Sequence, residues 1–246
     1  MDLVISSLAE RPDLEPLLEH FPDSWPEFMR KDPTSGLYYS VAAQHYPEHV
    51  LVAYDRDHPE RLVAKAHSVP FRWTEEFLPP GGWDRVIERA TIGRATGEEP
   101  NLVSALEINV QTDLRGTGLS SVMLTAMRDS VRALGYDTLV APVRPNGKPA
   151  HPEVPTGEYA GWTREDGLPV DPWLRVHVRA GGVVEAIAVR SMTIAGTLVE
   201  WREWTGLPFD RTGPVLVPGA LVPVHCDAEH GYAVYIEPNV WVRHKT

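Results

Sequence analysis

The sequence predicts an α/β protein, and three stretches carry that prediction. Residues 102–143 read as a strand, a glycine turn, a helix and a second strand, the order of a right-handed crossover unit. Residues 50–54 and 62–69 read as a hairpin joined by the polar turn DRDHPE. From residue 171 onward, two capped helix starts alternate with long runs of strand-forming residues.

In chain order, the first segment reads as helical. Leu8, Leu14, Leu17 and Leu18 are spaced for one face, and a second short helix is expected around residues 25–29. After the hairpin, Pro79, Pro80, Gly81 and Gly82 mark residues 70–82 as a loop. A helix over 83–95 places Trp83, Val86, Ile87 and Ala90 on one side. In the strand 102–110, Leu106, Ile108 and Val110 fall on one face and Ala105, Glu107 and Asn109 on the other. Beyond the turn QTDLRGTG, Val122, Met123, Ala126, Met127 and Leu134 recur at helical spacing until Gly135 ends the run. Residues 137–143 form the next strand. Asp171 and Pro172 supply an N-cap acceptor and a first-turn proline for a helix over 173–179, which stops at Gly181 and Gly182. Residues 183–194 read as a long strand. Thr197 and Glu200 make a capping box for a short helix closed by Gly206, and 221–225 and 232–242 read as further strands.

Composition bounds the function. With 246 residues, 43% hydrophobic and 23% charged, the chain can bury a sizeable core as one large domain or two small ones. No apolar run approaches the ~18 residues of a membrane span. The first residues lack the basic-then-apolar order of a signal peptide. The single Cys226 allows no intrachain disulfide, and a cytoplasmic protein is expected. The net charge of −11, with basic residues grouped only at 85–94 and 144–148, argues against a broad nucleic-acid surface. It leaves room for a local basic pocket that takes a phosphorylated small molecule.

The turn Arg115-Gly116-Thr117-Gly118-Leu119-Ser120 carries the chemistry. Placed between a strand and a helix, it aims free backbone N–H groups and the positive helix end at one point, where a pyrophosphate fits. The alternative is a tight turn and no more. A dinucleotide-binding fingerprint is a poor match: Ser121 stands at the third glycine position, and the following strand begins with Asp137 rather than ending in an acid. No G-x-S-x-G and no Walker A sequence occurs. His225, Cys226, Asp227 and His230 are metal-ligand types in no standard zinc spacing, so no metal is expected. Trp201, Trp204 and Trp241 can wall an acceptor pocket or pack in the core.

From Val110 to Ser120 the chain resembles the acyl-CoA-binding motif of the GNAT (general-control-related N-acetyltransferase) superfamily, V-x-P-x-x-R-G-x-G-x-G/A. The valine, the arginine and two glycines are in register; Thr112 replaces the proline and Ser120 the last small residue. The resemblance covers roughly residues 1–190 in element order. It implies a GNAT-type α/β fold: a mixed, mostly antiparallel twisted sheet flanked by helices, with an extended C-terminal part. Residues 1–246 would then form a single domain, with a core over about 1–190 and C-terminal strands and an extension over 191–246.

The resemblance also implies roles. Val110 would bond the pantetheine arm through its backbone, and Arg115, Gly116, Thr117, Gly118, Leu119 and Ser120 would hold the pyrophosphate. Asn146 would lie near the pantetheine or the thiol. His177 falls near the position of the family's tyrosine that protonates the departing thiolate, a task open to a group titrating near neutrality. Half-buried packing is the other reading of His177, and Tyr159 is a rival donor. Glu107 can take the acceptor's ammonium proton directly or through water, or serve in a salt bridge. The function expected is transfer of an acyl group, acetyl first, from acyl-CoA to an amine of a small-molecule acceptor. Three alternatives stay open: an aminoacyl-tRNA or acyl carrier protein as donor, a non-catalytic acyl-CoA sensor, and a partner-binding protein. A basic patch at Arg144, Lys148 and Arg164 would favour tRNA. A homodimer is plausible through paired edge strands.

Overall fold

The computed structural model describes residues 1–22 and 25–246. In order, the elements are β1 (Leu3–Ser7), α1 (Pro33–His45), β2 (Val50–Asp55), β3 (His58–Phe71), α2 (Gly82–Thr96), β4 (Leu102–Val110), α3 (Leu119–Ala133), β5 (Thr138–Val143), α4 (Thr156–Ala160), α5 (Pro172–Arg179), β6 (Val183–Thr197), α6 (Leu198–Thr205), β7 (Gly213–Val215), β8 (Val224–Asp227) and β9 (Tyr232–Lys245). The strands form one sheet in the order β1-β2-β3-β4-β5-β9-β8-β7, with β6 paired to β9. Among the described residues, only β4 and β5 run parallel; the other neighbouring strands in this sheet are antiparallel. This is the mixed, mostly antiparallel sheet expected, with the C-terminal strand β9 joined directly to β5.

The crossover unit sets where the site lies. Leu119, Met123, Leu124, Met127 and Val131 give α3 a continuous apolar stripe, which packs with Leu174 of α5 on Val103, Ala105, Leu139 and Ala141. On the other face of the sheet, Trp83, Val86, Ile87 and Ala90 of α2 and Trp201 of α6 pack against Leu102, Leu106, Val140 and Trp241. Asp171 caps α5 through the Trp173 and Leu174 N–H groups at 2.9 Å, and the Thr197–Glu200 capping box opens α6.

The N-terminal third departs from expectation. The leucine segment is the strand β1 followed by a 3₁₀ helix at Pro12–His20, because Pro16 lacks the N–H that an α-helix interior needs. Leu8 and Leu14 still bury, in a small cluster with β2 and β3. The short helix around 25–29 is a 3₁₀ turn at Glu27–Lys31. The helix α1 was not predicted; its apolar residues make no clean stripe, although Asp32 and Pro33 repeat the cap signal of α5, and Asp32 accepts from the Ser35 N–H at 2.6 Å. The stretch between β5 and α5 contains the short helix α4.

A β-bulge corrects the face assignment of β4. Glu107 pairs with His67 but Ala105 pairs with Ser68, so Leu106 is an extra residue. Leu106 therefore packs on the α2 side, whereas Ile108 and Val110 pack on the α3 side. The freed Leu106 carbonyl accepts from Trp83 Nε1 at 2.9 Å. Trp83 is itself fixed because Gly82 (φ +44°) lets α2 touch β6; the Trp83 N–H reaches Ser191 Oγ at 2.9 Å, and a Cβ on Gly82 would lie 2.2 Å from that oxygen.

Candidate active site

β4 and β5 pair only at Val103–Leu139 and Ser104–Val140, yet both strands run on beyond that register. They diverge, and the gap opens three adjoining cavities. The first, of about 590 Å³, lies at the glycine turn and is lined by Val110, Arg115, Gly116, Gly118, Leu119, Ser120 and Asn146. Of the residues expected there, Thr117 is outside the lining; its hydroxyl donates to the Leu114 carbonyl at 2.7 Å and shapes the turn. Gly116 and Gly118 have φ of +79° and +87°, and a Cβ on either would meet nothing within 4 Å. The backbone thus offers an open face at the start of α3, where the first N–H groups have no preceding helical carbonyl. Arg115 is exposed beside it. Arg175 and Arg179 of α5 line the same cavity from a different element, and sequence reasoning missed both. Their i, i+4 spacing on a short helix was the available signal. Three guanidinium groups around free N–H donors suit the diphosphate and phosphate of a CoA.

The second cavity, about 170 Å³, fills the gap between the strands and is lined by Glu107, Asn109, Arg144, Asn146, Trp173 and His177, among others. It shares Asn109, Asn146 and Trp173 with the glycine-turn cavity. The third, about 500 Å³, shares Trp25, Trp83, Glu107 and Asn109 with the second and adds Glu19, Phe21, Tyr39 and Lys65. A passage therefore runs from the glycine turn, through the strand gap, to an aromatic and charged outer chamber.

Glu107 stands where the gap meets the outer chamber. Its Oε1 forms an ion pair with Lys65 Nζ at 2.9 Å, contacts His67 Nδ1 at 2.7 Å and takes the Tyr39 hydroxyl. Oε2 has no partner among the described residues. Burial alone would raise the pKa of this carboxyl, but the His67 hydrogen bond and the charges of His67 and Lys65 outweigh it and hold it down to about 2. Glu107 is a permanent anion at any working pH. Tyr39, on the unpredicted α1, lines the outer chamber and is, like Arg175 and Arg179, a site residue that the sequence pattern concealed.

His177 lies in the strand gap, edge-on to Trp173, with Nδ1 2.9 Å from Nε2 of His244. Its pKa is not near neutral: burial, and then the neighbouring His244, push it down to about 3. His177 is a neutral imidazole. Tyr159 lines none of the three cavities; it is buried in α4 with its hydroxyl on Asp171 at 3.1 Å, and burial raises its pKa.

Arg144, Lys148 and Arg164 form no basic patch. The Arg144 Nε binds Glu237 at 3.0 Å, the buried Lys148 donates to the carbonyls of His151 and Leu221, and Arg164 sits 3.7 Å from Asp166. Trp201 and Trp241 are fully buried core residues, outside the lining of the outer chamber. Among the described residues, no group of three or more His, Cys, Asp or Glu side chains could hold a metal ion, and no helix is long and apolar enough to cross a membrane.

No protein-family model matches the chain. It is 35% identical, over 269 aligned positions, to the arginine N-acetyltransferase avaD of Aspergillus versicolor, a match covering 98% of this chain and 93% of that protein. Among solved structures, the loading GNATL domain of CurA from Lyngbya majuscula superposes with a TM-score of 0.61 at 18% identity, over 99% of this chain and 96% of that one. The GNAT-like decarboxylase GphF in complex with isobutyryl-CoA gives 0.53 at 15% identity, over 100% and 99%. These two structures speak for the fold, and the avaD match for the family. With the diverging strands and the glycine-turn cavity beside it, the avaD match establishes that the chain belongs to the GNAT superfamily and is an acyl-CoA-dependent acetyltransferase acting on an amine.

Proposed function

We propose that the acceptor is arginine, or a close guanidino amino acid, and that its α-amino nitrogen attacks acetyl-CoA directly. The observation that carries this reading is the continuous passage in which the glycine-turn cavity and the outer chamber meet at Glu107. The related avaD protein, named for arginine N-acetylation, supports the choice of acceptor.

Proton chemistry selects the α-nitrogen over the guanidinium. An α-ammonium titrates near ~8 and a guanidinium above ~12, so the second must give up its proton at an extra cost of roughly 6 kcal/mol. A carboxylate held at about 2 is far too weak a base to meet that cost. Glu107 instead holds the ammonium on its open Oε2 and passes the released proton to water. Tyr39, His67 and Lys65 keep its other oxygen fixed. The free amine forms its N–C bond with the thioester carbonyl, the C–S bond breaks, the nitrogen gives up its second proton through water to the departing sulfur, and CoA leaves as the thiol toward the glycine-turn cavity.

In this reading the Val110 backbone, Arg115, the Gly116 to Ser120 turn and Asn146 bind and position the donor. His177, kept neutral, donates a hydrogen bond to the leaving sulfur rather than a proton from an imidazolium. Cys226 takes no part as an acyl carrier, since it is buried and lines none of the three cavities.

The test is an acceptor panel with acetyl-CoA: arginine, lysine, ornithine, citrulline and unrelated amines. Thiol release should be greatest with arginine, and mass spectrometry should place one acetyl group on Nα. Acetylation on a guanidine nitrogen, or turnover with other amines but not arginine, overturns this reading.

A further inference from the structure

We propose that Arg144 holds the α-carboxylate of the amino-acid acceptor, so that the enzyme prefers amino acids to their decarboxylated amines. This rests on the reading that the acceptor is attacked at its α-nitrogen. In an amino acid one carbon separates that nitrogen from the carboxylate. A cation that binds the carboxylate must therefore face the same cavity as the reacting nitrogen. Among the described residues lining the strand gap, Arg144 is the one lysine or arginine. In the outer chamber, Lys65 is committed to Glu107 and Arg30 is paired with Glu27.

The geometry of Arg144 fits a binding role. Its Nε lies 3.1 and 3.0 Å from the two oxygens of Glu237, and Nη2 donates to the Gly219 carbonyl. Glu237 is fully buried and also accepts from the Tyr235 hydroxyl at 2.9 Å and Asn239 Nδ2 at 3.1 Å. The guanidinium carbon sits 5.7 Å from the Trp25 ring centre, and Trp25 walls both the gap and the outer chamber. A role limited to tying β5 to β9 accounts for Nε and Nη2. It does not account for Nη1, which donates to no described residue while the side chain lines the gap. A guanidinium already oriented by a buried partner loses little freedom when a second carboxylate takes its remaining N–H groups.

The test compares kcat/KM for arginine, argininamide and agmatine in the wild-type protein, Arg144→Gln and Arg144→Lys. The wild type should favour arginine over both uncharged-end analogues by about 10- to 100-fold, the range of a hydrogen bond between charged groups. In Arg144→Gln the arginine-to-agmatine ratio should fall toward one, chiefly through the KM for arginine. Arg144→Lys should keep part of the preference. Because Arg144→Gln leaves Glu237 buried without its cation, Arg144→Gln with Glu237→Gln provides the same comparison should the single variant fail to fold. A wild-type enzyme that uses arginine and agmatine equally overturns the clamp while leaving the acceptor reading intact. Variants that lose both substrates in equal proportion make Arg144 structural and also overturn it. Wild-type inactivity on all three removes the acceptor reading and the clamp together.

Discussion

Glu107→Gln is expected to lower kcat/KM for acetylation of arginine by about 100-fold or more while leaving acetyl-CoA affinity unchanged. The size follows from removing the fixed charge nearest the reacting nitrogen, since deleting one electrostatic partner from a dry site costs ~10²–10³-fold in rate. The split follows from geometry, since Glu107 lines the strand gap and outer chamber but not the glycine-turn cavity. The same substitution has a signature in stability. The folded pKa of Glu107, about 2, lies below its ordinary 4.5. The ionised carboxylate therefore stabilises the fold fully above pH 4.5, and that contribution disappears as the pH falls toward 2. The Tm gap between wild type and Glu107→Gln should be widest near neutrality and shrink in acid. A constant gap from pH 7 to pH 3, or a loss of acetyl-CoA binding in the folded variant, contradicts this placement.

Gly118→Trp is expected to reduce acetyl-CoA affinity by about 100-fold or more, with a much smaller effect on folding. A tryptophan at φ +87° is strained by ~1–3 kcal/mol, but its Cβ meets nothing in the free protein. The ring would stand in the space where the diphosphate approaches the start of α3. Arg115→Ala should cost about tenfold, because Arg175 and Arg179 remain around the same cavity. Calorimetric titration with acetyl-CoA and CoA, alongside a thermal melt, separates a binding defect from a folding defect. Undiminished affinity in folded Gly118→Trp would move the donor away from the glycine turn.

What the sequence made legible was local. The strand, glycine turn, helix and strand of the crossover are written in period-2 and period-3.6 patterns, and β4 lies at Leu102–Val110 as read. The glycine turn announced its own chemistry because all its donors are neighbours in the chain. Long-range pairs left no such trace. Arg144 and Glu237 are 93 residues apart, and Tyr39 meets Glu107 across 68. α1 hid because its apolar residues, Leu37, Tyr38, Tyr39, Val41, Ala42 and Ala43, spread around the helix rather than along one face, despite a good cap at Asp32. The bulge at Leu106 defeated strict alternation, since one extra residue moves every later side chain to the opposite face. His177 was found by position, but only its burial beside His244 sets its charge.

The central claim is that donor and acceptor meet in one passage at Glu107. Calorimetric titration with a bisubstrate conjugate, in which the CoA sulfur is joined through an acetyl linker to Nα of arginine, tests it most directly. The conjugate should bind at least ~100-fold more tightly than CoA, as expected when two tethered ligands fill adjoining sites, and the advantage should vanish in Gly118→Trp. A conjugate that binds no more tightly than CoA would show that arginine does not occupy the outer chamber beside the donor.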